Sequence, residues 1–119
     1  MNLVDSFMID IKAYSLQIHK KITGFSNEKI IDSIHYLNTK GKLKELRFVL
    51  VPGYNNGVDE IRKISNLMNT LSPSVAKVLI KMRKHGIREK YASLNEPSDE
   101  EVLFVQNQFN EAGINLTVL

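Results

Sequence analysis

The sequence predicts an α/β domain built on a parallel sheet, and three observations predict it. Four short β-rich runs recur along the chain, amphipathic stretches separate them, and the runs are nearly continuous in apolar residues, as strands covered by crossover helices are. Crossovers between parallel strands are right-handed, so the order strand, helix, strand, helix, strand, loop, helix, strand leaves a doubly wound sheet or a β/α barrel. In both, ligands sit at the C-terminal ends of the strands. That directs attention to Lys12, to Pro52-Gly53 and to residues 82–86.

The first run is residues 6–12 (SFMIDIK), and the second, residues 46–51 (LRFVLV), stops at Pro52-Gly53, a strong turn signal. A third run, residues 75–82 (VAKVLIKM), follows Ser72-Pro73, and a fourth, residues 115–119 (NLTVL), follows Gly113. Ser26 precedes NEKIIDSIHYLNTKG, where Ile30, Ile31, Ile34 and Leu37 share one helical face and Gly41 suits the C-terminal cap. The stretch VDEIRKISNLMNTL repeats the pattern with Val58, Ile61, Ile64, Leu67, Met68 and Leu71, and places its acids early. The last helix begins at Pro97 or Ser98, with three acids in its first turn and Val102, Val105 and Phe109 facing inward.

A length of 119 residues fits a single domain, and 43% hydrophobic with 24% charged residues is a globular composition. The net charge of +3 comes from 16 basic and 13 acidic residues scattered along the chain, without the clustered cations or motifs of a nucleic-acid binder. No run approaches the roughly 18 apolar residues of a membrane span, and no secretory leader pattern opens the sequence, so a cytoplasmic protein is expected. The chain contains no cysteine, which excludes disulfides, thiol catalysis and Fe–S ligation by its own residues. P-loop, G-x-G-x-x-G, G-x-S-x-G and H-E-x-x-H signatures are absent, and His19, His35 and His85 are too dispersed for a metal site. The four methionines fit core positions.

Asp10 and Lys12 lie two apart on the first strand and share a face, either as a rim ion pair or as partners for a polar ligand. Arg47 interrupts an apolar strand and alternates with Val49 and Val51; its planar fork matches a carboxylate, unless it reaches outward from an edge strand. Residues 81–91 (KMRKHGIREKY) concentrate cations around His85 and Gly86, as an anion or partner site or as a solvated loop. Tyr14 and Tyr54 follow the first two strands and line a pocket mouth or cover the sheet edge.

Taken together, FMIDIK, the Gly24-Phe25-Ser26-Asn27 step, LRFVLVPGYNN and HGIREKY resemble the pyruvate formate-lyase activating enzyme family of radical S-adenosylmethionine proteins. The resemblance implies a partial parallel β/α barrel. In that family the earlier units bear a C-x-x-x-C-x-x-C motif for a [4Fe-4S] cluster, and the later strands complete the S-adenosylmethionine pocket. This chain matches the later strands, so it reads as one C-terminal domain without the cluster-binding part. By that analogy Asp10 and the Met8 carbonyl help hold a cation near the cofactor carboxylate. Lys12 and Arg47 face the polar end of the site, and Val49 contacts the adenine. The family's next strand commonly ends in P-Y-H or P-F-H, whereas this chain reads Lys81-Met82-Arg83, which puts Arg83 among the cofactor-binding candidates at that step. His85-Gly86-Ile87-Arg88 resembles a variant ending among activase-like proteins.

Two readings follow. In the first, the chain supplies cofactor orientation to an enzyme that generates a glycyl radical on a target enzyme, and is inactive alone. In the second, it is a non-catalytic α/β module that binds a partner protein or an acidic metabolite. A partial barrel also leaves a strand edge exposed near residues 6–11, where self-association is expected.

Overall fold

The computed structural model describes residues 6–81 and 97–119. Four strands, β1 (Phe7–Ile11), β2 (Leu43–Leu50), β3 (Ala76–Lys81) and β4 (Thr117–Val118), form one sheet in the order β1-β2-β3-β4, and every neighbouring pair is parallel. The helices are α1 (Leu16–Thr23), α2 (Glu28–Thr39), α3 (Val58–Asn69) and α4 (Asp99–Glu111). The predicted parallel α/β sheet, grown in chain order, is what the molecule has.

Each helix follows from its sequence in a specific way. In α2, Ile34 is fully buried and Ile30, Ile31 and Leu37 pack beside it, while Gly41 takes φ +69° just past the last turn. That left-handed residue lets the Lys42 N–H reach back 2.8 Å to the Leu37 carbonyl, a terminus that a β-carbon would strain. Helix α3 buries Ile61, Ile64, Leu67 and Met68, though Val58, expected inside, is 46% exposed. Helix α4 starts with a full capping box, Ser98 accepting from the Glu101 N–H while Glu101 accepts from the Ser98 N–H.

Alternation along parallel strands divides the sheet into two faces. On one, Ile11, Leu46, Phe48, Leu50 and Leu79 pack against Ile34, Ile64, Val105 and Phe109, and this is the main core. The other face carries Met8, Asp10, Glu45, Arg47, Val49 and Val78, none of which belongs to that core. A smaller apolar cluster, Ile22 and Val51 with Ile18 and Tyr54 against them, sits at the C-terminal end of β2.

Helix α1 was not anticipated: the sequence reading left residues 13–25 without an element, so two helices separate β1 from β2. LQIHKKIT has two cations and a histidine among eight residues, and only His19 and Ile22 are buried, which is too short a pattern to stand out. Strand β2 also begins three residues earlier than predicted, because Leu43 pairs with Phe7. Not every methionine lies in the core; Met68 does, but Met8 is 57% exposed.

Candidate functional site

Register places Asp10 of β1, Arg47 of β2 and Val78 of β3 in one row across the face that lacks the main core. Arg47 is therefore on an interior strand and does not reach outward from an edge. Its Nε donates to the Glu45 carboxylate, two residues earlier on the same face, and lies 4.0 Å from Asp10 Oδ1. Its Nη2 contacts the Met8 sulfur at 3.0 Å. The Glu45 hydrogen bond raises the guanidinium pKa, and the two carboxylates reinforce it against partial desolvation. Asp10 thus pairs across strands, and the alternative of an Asp10–Lys12 rim pair is not what forms. Val49, next but one to Arg47, is buried on the same face. A cationic fork between carboxylates, beside an apolar valine surface, suits a ligand with a charged end and a flat apolar end.

Immediately beyond β1 the chain is tied down by buried polar groups. Of five polar side chains buried among the described residues, three converge on the backbone of residues 12–15. Asn55 is fully buried; its Nδ2 donates at 2.7 Å to both the Lys12 and the Val49 carbonyls, and its Oδ1 accepts from the Val51 N–H at 2.7 Å. Asn27 donates to the carbonyls of Ala13 and Tyr14 at 3.1 and 2.8 Å. Glu60, from the first turn of α3, accepts from the Tyr14 N–H and, at 3.3 Å, from the Ser15 N–H. In the sequence Glu60 reads as an early acid of its helix, and Asn27 and Asn55 carry no role beyond the motifs they sit in. Spacing alone does not distinguish these three from ordinary turn and cap chemistry.

His19 is 2% exposed, and its Nδ1 has no hydrogen-bond partner among the described residues. Burial, and then the nearby Lys12 charge, push its pKa below the ordinary 6.5. The folded state thus resists protonating His19, while the unfolded chain takes a proton near 6.5. Stability is full above that value and falls as pH drops through the folded-state pKa. Thermal melts from pH 7.5 down to 5 should show a loss that His19→Phe abolishes; an unchanged slope in that variant would contradict the assignment.

The structure brings together Met8, Asp10, Arg47 and Val49, while Lys12 lies just past β1 and makes no ion pair with Asp10. Lys81 ends β3, and Arg83, His85 and the other residues of the basic segment from 82 onward lie outside the described residues. No group of three His, Cys, Asp or Glu side chains that could hold a metal ion occurs among the described residues. Met8 and Asp10 supply at most part of a cation's shell. Cavities of about 500, 200 and 250 Å³ lie elsewhere, and none of these three is lined by Asp10, Lys12, Arg47 or Val49. The polar row lies on the sheet face outside the main core. No described helix is long and apolar enough to cross a membrane.

Among solved structures, a domain of pyruvate-formate lyase-activating enzyme from Bacteroides vulgatus superposes on 97% of this chain and 67% of its own length, with TM-score 0.76 and 18% identity. A radical SAM methyltransferase from Sphaerobacter thermophilus matches 96% of the chain and 33% of its own length, with TM-score 0.71 and 17% identity. At such identities the likeness shows the class of fold: an α/β domain whose parallel strands alternate with helices in an open sheet. In sequence, the pyruvate formate-lyase-activating enzyme of Listeria monocytogenes is 31% identical over 120 residues, covering 93% of this chain. That of Streptococcus mutans is 35% identical over 71 residues, covering 60% of this chain and 27% of the relative. Over nearly all of its length the chain is similar to pyruvate formate-lyase-activating enzymes. It spans 48% of the length of the Listeria relative. No family model matches it.

Proposed function

We propose that the chain is the later, cofactor-orienting portion of a glycyl-radical enzyme activating protein, with the cluster-binding portion supplied by sequence outside these 119 residues. The observation that carries this reading is the row of Asp10 and Arg47 with Val49 beside it, on the sheet face outside the main core, in a chain similar to activating enzymes over nearly all its length. In this reading Arg47 and Lys12 receive the charged amino-acid end of S-adenosylmethionine, and Val49 receives the adenine. Asp10 and the Met8 carbonyl contribute to a cation there, and Arg83 stands with the cofactor-contacting residues.

The donor set decides what the chain lacks. A radical-type [4Fe-4S] cluster needs cysteine thiolates, and the sequence has none, so these residues do not fit the cluster. S-adenosylmethionine bound to such a cluster supplies the radical chemistry in an intact enzyme; the chain's residues bind and orient. The protein substrate in this reading is a glycyl-radical enzyme, and the location is cytoplasmic. Strand β1 ends the sheet with Phe7 and Met8 exposed, and the missing portion covers that edge.

The test is the nucleotide sequence of the locus. Upstream of the Met1 codon, in frame or in an adjacent reading frame, a C-x-x-x-C-x-x-C motif followed by β/α units is expected. Unrelated sequence there would favour the binding-module reading.

A further inference from the structure

The turn at residues 12–15 is held by more polar bonding than its size requires. Asn27 precedes α2, Asn55 follows β2 and Glu60 belongs to α3, so three separate elements reach one short stretch. All three side chains are 4% exposed or less, and none belongs to the apolar core on the opposite face. Asparagine is specific at position 55, because the same amide must accept from Val51 N–H and donate to two carbonyls. Aspartate there would set an acceptor against both carbonyls. Glu60 pairs with no cation among the described residues and is satisfied by the turn's own N–H groups at the positive end of α3. The strands are paired by their own parallel ladders and packed on the hydrophobic face, and the bonds of Asn27 and Glu60 go to the turn and to no strand.

We infer that Asn27, Asn55 and Glu60 are positioning residues, which fix the turn carrying Lys12 as a prebuilt rim of the polar row before any ligand arrives. The ligand, S-adenosylmethionine, rests on the reading under Proposed function, but the ordering of the turn does not. A prebuilt rim removes the cost of ordering four residues from the binding step. Tyr14, its amide locked by Glu60, lines a cavity with His35 and Lys63 away from the polar row, so Lys12, next after the strand that carries Asp10, is the residue of the turn that the clamp positions beside that row.

The test is amide hydrogen exchange and S-adenosylmethionine titration, both read residue by residue by NMR, on the 119-residue chain and its Glu60→Gln and Asn27→Ala variants. In the wild type the Tyr14 and Ser15 amides should be protected without ligand. In Glu60→Gln their exchange should quicken about tenfold or more, the scale of a lost charge-assisted bond, while Phe48 and Leu79 stay protected. Ligand-induced shifts at residues 12–15 should weaken in both variants. Unprotected Tyr14 and Ser15 amides in the wild type would overturn the inference. So would protection lost equally across the sheet in both variants, which would make the three side chains general supports of the fold. Protected amides that respond as stated, in a wild type that shows no ligand shifts even at millimolar S-adenosylmethionine, would support the ordering and overturn the cofactor reading.

Discussion

Phe48→Ala is expected to remove about 3–5 kcal/mol of folding stability, the range for emptying a buried aromatic site. Phe48 is fully buried at the centre of β2, and its ring lies 5.6 Å from that of Phe109, tilted by 59°, a geometry in which edge and face attract. It joins the sheet to α4, so its loss opens a cavity where three layers of side chain meet: β2, α3 and α4. Against the roughly 5–15 kcal/mol typical of a domain, this is a large fraction, and a fall in melting temperature of about 10 °C or more follows. Phe25→Ala serves as the control, since Phe25 is 74% exposed and should shift stability by no more than about 0.5 kcal/mol. Urea unfolding followed by circular dichroism measures both. Equal, small effects would mean that the sheet and α4 are not held by this contact.

The parallel sheet was legible because its signals are periodic and local. Leu46, Phe48 and Leu50 alternate with Arg47 and Val49, and Pro52-Gly53 ends the run, so strand, face and terminus were all readable. The meeting of Asp10 and Arg47 on one face was readable through the family resemblance, since alternation within each strand does not fix the register between strands. The contact of Arg47 with Glu45 was not, because a glutamate two residues before an arginine on a strand reads equally as a solvated residue. The polar clamp on residues 12–15 was invisible for a different reason: it joins positions 12, 27, 55 and 60, and sequence separation of that size leaves no periodic trace. Helix α1 escaped because it buries only two side chains, one of them a histidine, so its hydrophobic stripe is nearly absent. His19 was judged a dispersed histidine, and its burial depends on a helix that had not been recognised.

Anaerobic reconstitution of the purified chain with iron and sulfide should yield no specific charge-transfer absorption and, under reduction, no 5′-deoxyadenosine from S-adenosylmethionine. Clusters of this type are held by cysteine thiolates, three of which leave one iron open to the cofactor, and none exists among the 119 residues. The effect is total, unlike that of any side-chain substitution. Binding without cleavage is a separate matter. In the proposed reading Arg47, Lys12 and Val49 meet two ends of the cofactor on an open sheet face, so the loss of ligand freedom is poorly offset. Affinity near millimolar, about 4 kcal/mol of binding free energy, is expected, and Arg47→Ala should weaken it further. The central claim is that this chain holds part of a radical S-adenosylmethionine site and needs another part to act. Product analysis for 5′-deoxyadenosine, on reconstituted chain stripped of adventitious iron and incubated with S-adenosylmethionine and reductant, tests it most directly. Product at background level, identical to a no-protein control, is the predicted result; turnover above background by the chain alone would contradict it and define a complete site of another kind.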